Sequence, residues 1–135
     1  ISELDILEPM AAQMQVEDIG TDPRAEGIEN HRNRIAHQIH TKHIWVADLD
    51  GEIVFSLNVG THCPLGTQVG SIVIPSHKRN QGIATRAMCG ANICFLRQSA
   101  IVTLLVRSDN HAAIRAYEKS NYKPVSEFLL AELLV

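Results

Sequence analysis

Aromatic residues are scarce: one Trp, two Tyr and three Phe make up 4% of the 135-residue chain. Any core must therefore be aliphatic, and apolar residues at 45% are enough to build one. An excess of positive charge is also missing. The net charge is −3, so no global basic field draws the chain to nucleic acid or to a membrane surface. The three cysteines, Cys63, Cys89 and Cys94, form no CxxC motif. An odd count without that motif points to reduced thiols and a cytoplasmic setting. Cys89 and Cys94 fall in a helical stretch, where Cys is most often a small core residue. No apolar run is long enough to span a membrane, and no signal peptide or internal repeat is present. The chain begins at Ile1 rather than Met. The expectation is a fragment of a longer chain, in which either a trimmed segment or an upstream domain would precede Ile1. Residues 1–135 suit one compact α/β domain.

What is present is organised around residues 70–84. Ile72, Val73 and Ile74 are β-branched or aliphatic and lie between Gly70 and Pro75, which predicts a short buried strand. A basic turn follows, with Lys78 and Arg79. After Gly82 the apolar residues fall at Ile83, Ala87, Met88, Ala91 and Phe95, one face of a helix. A helix starting at a glycine-containing turn directs free backbone N–H groups and positive potential outward. That is a ready phosphate site. Gly82 lacks a Cβ, so a ligand's oxygens can approach its backbone closely.

The rest of the chain reads as alternating helices and strands. Leu4 to Val16 predicts a helix with Ser2 as N-cap and Pro9 as a kink or later start. Residues 17–23 read as a loop. Ile28 to Ile39 predicts a second helix that buries Ile28, Ile35, Ala36 and Ile39. His43 to Leu49 and Glu52 to Val59 predict a hairpin about Asp50-Gly51. The second strand puts Ile53, Phe55, Leu57 and Val59 on one face and Val54, Ser56 and Asn58 on the other. Thr61 to Gly66 reads as a loop and Thr67 to Ile74 as the next strand. A helix over about 81–98 follows. Ile101 to Val106, apolar on both faces, reads as a central strand. Asp109-Asn110 caps a helix to about Ser120, and Asn121 ends it in the left-handed conformation. Tyr122 to Val125 and Glu127 to Leu134 read as closing strands.

Two blocks carry a resemblance. The first is Arg79-Asn80-Gln81-Gly82-Ile83-Ala84, of the form Arg/Gln-x-x-Gly-x-Gly/Ala between a strand and a helix. The second is Asn110, Ala113 and Tyr117, with Asn121-Tyr122 where Gly-Phe is usual. Together they resemble the GNAT family of N-acetyltransferases, over Thr67 to Leu134. Residues 1–60 match only by the order helix, helix, strand, strand. The family's first strand is missing ahead of the first helix. Its Val-x-Pro approach to the turn is also altered: Ser76 stands at the proline position and Pro75 lies one residue earlier. A reshaped turn is therefore expected. The resemblance implies a single mixed, mostly antiparallel, splayed α/β sheet flanked by about four helices.

It also implies acetyl transfer from acetyl-CoA to a primary amine, on a small molecule or a protein, with no metal. Transfer needs a polarised thioester carbonyl, a neutral amine and a proton for the leaving thiolate. By the resemblance, the backbone of Ile72, Val73 and Ile74 holds the pantetheine and acetyl carbonyl. The amides of Arg79, Asn80, Gln81, Gly82, Ile83 and Ala84, with Thr85, hold the pyrophosphate. Tyr117 protonates the thiolate. Asn110 either binds the cofactor's amide-rich arm or serves only as an N-cap. The strand Thr67 to Ile74 offers no carboxylate as base. Glu52, His62, His77, Asp109 and Glu127 remain unranked, and water can take the proton instead.

His37, His40 and His43 recur every three residues, but the third rotates off the face of the first two, which argues against a metal site. The first two helices and their loop are expected to border the acceptor. Glu17, Asp18, Asp22 and Glu26 there either favour a cationic acceptor or form a solvated acidic loop. Two rival readings stay open: a non-catalytic acyl-CoA-binding sensor or scaffold, and a structural domain with an empty cleft.

Overall fold

The computed structural model describes residues 2–131 and 133. It begins with a helix, α1 (Glu3–Ile19), fixed by a capping box. The Ser2 hydroxyl accepts from the Asp5 N–H, and the Asp5 carboxylate accepts from the Ser2 N–H. Pro9 lies inside α1 without ending it, because Leu7, Glu8 and Ala12 are buried on either side of it. The helix runs three residues beyond the expected Val16, so Glu17, Asp18 and Ile19 are helical rather than loop. Gly20 closes it with a φ of 82°. Helix α2 (Ile28–His40) buries His31 and Ile35. Ile28, expected inside, is 54% exposed, because it sits at the first turn, ahead of the buried stripe.

Strands β1 (Ile44–Leu49) and β2 (Glu52–Cys63) form the expected hairpin. Asp50 and Gly51 have φ of 53° and 84°, the paired left-handed residues that a tight two-residue hairpin requires. β2 is longer than expected. Residues 61–63 stay in the strand, and only Pro64-Leu65 turns before β3 (Gly66–Val73). Val54 to Leu57 are all buried, so the sheet is covered on both faces there. Helix α3 (Ile83–Phe95) buries Ile83, Met88 and Phe95 as its periodicity predicts. It stops three residues short of Gln98. Cys89 is half-buried, while Cys94 is exposed and is not a core residue.

The sheet order is β1-β2-β3-β4, with β4 at Val102–Leu104. The first two pairings are antiparallel and the last is parallel. Ile101 to Val106 therefore shrinks to three paired residues at a sheet edge, not a central strand. Ile101 and Leu105 are more than half exposed. The two closing strands are absent from residues 122–131, which carry no regular structure; Leu134 lies outside the described residues. A strand exists only where a neighbour completes its ladder, and among the described residues no element pairs with this segment. Helix α4 (His111–Lys119) packs on α3.

The core lies mainly between β2, β3 and α3: Val54, Phe55, Leu57, Val59, Val69, Ile83, Met88 and Phe95. Trp45 packs its ring 4.6 Å from that of Phe95, centroid to centroid. On the other face α1 and α2 cover the residues that alternate with Phe55, namely Ser56 and Asn58.

Candidate active site

Two parallel strands, β3 and the edge strand β4, part company partway along. β3 and β4 pair at Thr67–Val102, Gln68–Thr103 and Val69–Leu104, and the ladder stops there. Gly70 to Val73 continue against β2 alone, so the backbone of their other edge is left open. Openings at the carboxyl ends of parallel strands are the usual ligand crevices of α/β sheets. Within this open edge, β3 bulges. Between the pairs Ser56–Val73 and Asn58–Gly70 it carries one more residue than β2, and Ser71 takes a φ of 48°. The bulge re-aims backbone groups at the crevice. No sequence signal beyond Gly70-Ser71 marks it.

The chain then turns through a short 3-10 segment, Ser76–Lys78, entered from Pro75. Asn80 and Gly82 both hold positive φ, 60° and 73°. Gly82 is the N-cap of α3, and no side chain caps that end. The amides of Asn80, Gln81, Gly82, Ile83, Ala84 and Thr85 have no backbone acceptor among the described residues, whereas the Arg79 N–H donates to the Ser76 carbonyl at 3.3 Å. A Cβ added at Gly82 would meet nothing within 4 Å, so this cradle faces open space. Uncapped amides, a helix start and a bare backbone fit a pyrophosphate. The open β3 edge fits an amide-bearing arm laid beside it like a strand.

The basic residues before the helix point elsewhere. Arg79 Nε donates to the Ile74 carbonyl at 3.1 Å, and its Nη2 pairs with Glu17 at 2.8 Å. Lys78 pairs with Glu52 at 2.8 Å. Arg86, on the first turn of α3, forms no ion pair among the described residues, and its Nη2 lies 3.5 Å from the Gln81 carbonyl. It is the cation best placed beside the cradle. Sequence reasoning passed over it because it lies outside the motif, though its one-turn spacing from Gly82 was visible.

Helix α4 packs against α3 and the core. Asn110 accepts from the Ala113 N–H at 3.2 Å, a true N-cap, which leaves its amide nitrogen unused by the cap. Ser120 Oγ donates to the Ala116 carbonyl at 2.8 Å and lies 3.4 Å from the Thr85 carbonyl, where the end of α4 meets the first turn of α3. Tyr117, one turn earlier, packs against the core and edge-on to Tyr122, centroids 6.0 Å apart. The Tyr122 hydroxyl donates to Asn92 at 2.7 Å, but the Tyr117 hydroxyl has no partner among the described residues. Burial, with Tyr122 and Asp18 nearby, pushes the Tyr117 phenol up to about 12. It is therefore a protonated donor throughout the neutral range. Asn121 takes the expected left-handed turn, φ 69°.

The unranked bases fare unequally. Glu52 is held by Lys78 and His77 on the surface, and both pull its carboxyl down. His62 contacts Thr67 at 2.7 Å and Gln98 at 3.1 Å, at the opposite end of β3 from the bulge. Asp109 pairs with Arg107, and Glu127 is exposed. Among the acidic residues around the first loop, Glu17 is tied to Arg79 and Asp22 to Arg24. Among the described residues no three metal-ligating side chains gather, and the three spaced histidines do not converge.

The described helices include none long and apolar enough to cross a membrane. The model of the acetyltransferase (GNAT) family matches residues 12–122. Among solved structures, a possible acetyltransferase from Clostridium difficile 630 superposes with a TM-score of 0.75 at 14% identity, covering 98% of this chain and 92% of that one. A transcriptional regulator from Bacillus halodurans C-125 gives 0.74 at 22% identity, covering 98% and 96%. A predicted acetyltransferase from Clostridium acetobutylicum, solved with acetyl-CoA, gives 0.69 at 13% identity, covering 96% and 90%. At these identities the likeness establishes the fold. No curated protein matches the chain.

Proposed function

The chain belongs to the GNAT acetyltransferase family, and from that membership we propose that it is an N-acetyltransferase moving an acetyl group from acetyl-CoA to a primary amine. One observation carries the reading. The parallel β3–β4 ladder opens directly onto an uncapped helix start, with Tyr117 packed beside it. Acetyl-CoA supplies the activated acetyl as a thioester.

The chain's own groups divide the work. The amides of Asn80 to Thr85, with Arg86 beside them, bind the pyrophosphate. The free edge of Ile72 to Ile74 orients the arm and donates to the acetyl oxygen as negative charge grows on it. Asn110 has a free amide donor for the arm. The Tyr117 hydroxyl gives its proton to the departing sulfur. Protonation matters only once the C–S bond is breaking, so this donation raises turnover rather than affinity.

The test is a thermal-shift titration with CoA followed by turnover with a panel of primary amines. A ligand at 100 times its Kd stabilises the native state by about 2.7 kcal/mol. The expected result is a clear rise in Tm and amine-dependent release of free thiol. No shift at millimolar CoA would remove the reading. A shift without turnover on any amine would replace it with the non-catalytic acyl-CoA-binding module.

A further inference from the structure

A buried acid–histidine pair lies outside the machinery just described. Glu8 of α1 and His31 of α2 are each 3% exposed. The His31 Nδ1 lies 2.7 Å from Glu8 Oε1. A carboxylate can only accept, so Nδ1 carries the proton shared with Glu8, and Nε2 is the ring nitrogen left for a ligand. Nε2 has no partner among the described residues. His31 lines a cavity of about 190 Å³ between α1, α2 and the sheet. Asn58 lines the same cavity, and its Oδ1 is buried without a hydrogen bond. Ser71 and Val73 form part of the inner wall. The cavity therefore ends on the β3 bulge, beneath α1 and α2 together. A carboxylate-backed histidine whose second nitrogen has no partner among the described residues, lining a small cavity that ends on β3, is a place for a hydrogen-bonding ligand.

We infer that His31, held by Glu8, is the base that deprotonates the acceptor, and that the acceptor is a primary monoamine whose nitrogen reaches His31 Nε2 through this cavity. This rests on the acetyltransferase reading. The ammonium gives one proton to His31 Nε2, which passes it to solvent. The neutral nitrogen attacks the thioester carbonyl, the C–N bond forms and the C–S bond breaks. The sulfur takes the Tyr117 proton, and the second N–H proton returns to Tyr117. A carboxylate behind the ring fixes its tautomer and stabilises the imidazolium that forms. The charges facing the pair are few. Arg34 of α2 lines the cavity. Asp22 lies close enough to feel His31, and Arg24, paired with Asp22, feels Glu8. β2 and β3 contribute only the uncharged Ser56, Asn58 and Ser71 there. Arg34 opposes an acceptor with a second positive charge, and the first-loop acids are already paired.

The experiment follows the histidine ring nitrogens of ¹⁵N-labelled protein saturated with CoA, while linear primary amines from ethylamine to hexylamine are added. His31→Gln identifies the signal; its amide can still donate to Glu8. The expected result is a shift at His31 Nε2 larger than at Nδ1. In His31→Gln, kcat/KM at neutral pH falls by about 10²–10⁴-fold, with the CoA-induced rise in Tm kept. The residual rate then tracks free amine in solution and climbs about tenfold per pH unit. Glu8→Gln, a positioning variant, lowers kcat while leaving the KM for the amine near the parent's. A ring unmoved by every amine, or an unchanged kcat/KM in His31→Gln, overturns the inference while CoA binding stands. Failure of the parent to bind CoA appears before any amine is added; it removes the acetyltransferase reading and this inference with it.

Discussion

Arg79 and Glu17 stand 62 residues apart in the chain and 2.8 Å apart in space. The contact ties the last turn of α1 to the turn that presents the α3 amides. Arg79 also donates to the Ile74 carbonyl, so one guanidinium fixes both ends of that turn. Both side chains are about two-fifths exposed, and a screened surface pair contributes only about 0–1 kcal/mol. Arg79→Ala should therefore lower stability by about 1 kcal/mol or less, measured by urea unfolding. CoA affinity should fall further, by about tenfold, because the amides lose their fixed aim. Equal small losses in both would confine Arg79 to a surface contact.

The same pair has a pH signature. Burial alone would raise the Glu17 carboxyl, but hydrogen bonds from Gln13 and Arg79 outweigh it and hold the group below its usual 4.5. A depressed folded value stabilises the native state above the unfolded value and ceases to do so as pH falls through the folded one. Acid unfolding below about pH 4.5 should thus begin at higher pH in Arg79→Ala than in the parent, read by circular dichroism. Superimposable acid transitions would show that Glu17 does not contribute.

Gly82 separates backbone strain from charge. Its φ of 73° disfavours any side chain, yet the space around it is open. Gly82→Ala and Gly82→Glu should each cost about 1–2 kcal/mol of stability, the left-handed penalty. Only Gly82→Glu sets a carboxylate against the phosphate site, so its CoA affinity should collapse while Gly82→Ala keeps most of it. Calorimetry with CoA distinguishes the two. Parallel losses would mean that the cradle acts through shape alone.

What could be read from the sequence was what short-range chemistry decides. Asp50-Gly51, Asn80, Gly82 and Asn121 all stand where positive φ is needed, and Asn110 caps α4 as its position implies. The α3 stripe from Ile83 to Phe95 follows from period alone. Long-range partners were hidden. An apolar run such as Ile101 to Val106 looks the same at an edge as in the middle of a sheet. The bulge at Ser71 depends on how β2 and β3 slide past each other. The Glu8–His31 pair crosses two helices, and no local pattern joins residues 23 apart in the chain. A signal existed: Glu8 is one turn before Ala12 and His31 one turn before Ile35, both buried, so each lies on its helix's inner stripe.

Asn110 can be tested for a second role beyond capping. Asn110→Ala removes the acceptor for the Ala113 N–H and should cost about 1 kcal/mol. Asn110→Asp keeps that acceptor, loses the amide donor and adds a negative charge, while Asn110→Ser keeps a capping oxygen without the charge and serves as its control. A role in holding the cofactor's arm predicts weaker CoA binding in all three variants, with stability lost only in Asn110→Ala. If Asn110→Ser binds CoA like the parent, Asn110 is a cap and nothing more.

Tyr117 offers a spectroscopic and a kinetic test in one protein. The chain has only two tyrosines, and burial, the leading cause at each, pushes both up to about 12. A raised folded value means that the native state keeps its protons where the unfolded chain, near 10, loses them. Stability is therefore undiminished below about pH 10 and falls as pH rises toward 12. Absorbance at 295 nm should show no tyrosinate step at pH 10 in the native protein, and a full step there in urea. In Tyr117→Phe the native step near 12 should halve. The missing hydroxyl bonds nothing among the described residues, so stability should stay within about 0.5 kcal/mol of the parent. Turnover should fall by about 10²–10⁴-fold with CoA affinity within a few-fold, because the lost interaction belongs to the transition state alone. A native tyrosinate step at pH 10 would show that the phenol is not buried as described. Parent-like turnover in Tyr117→Phe would assign the sulfur's proton to water or to another group.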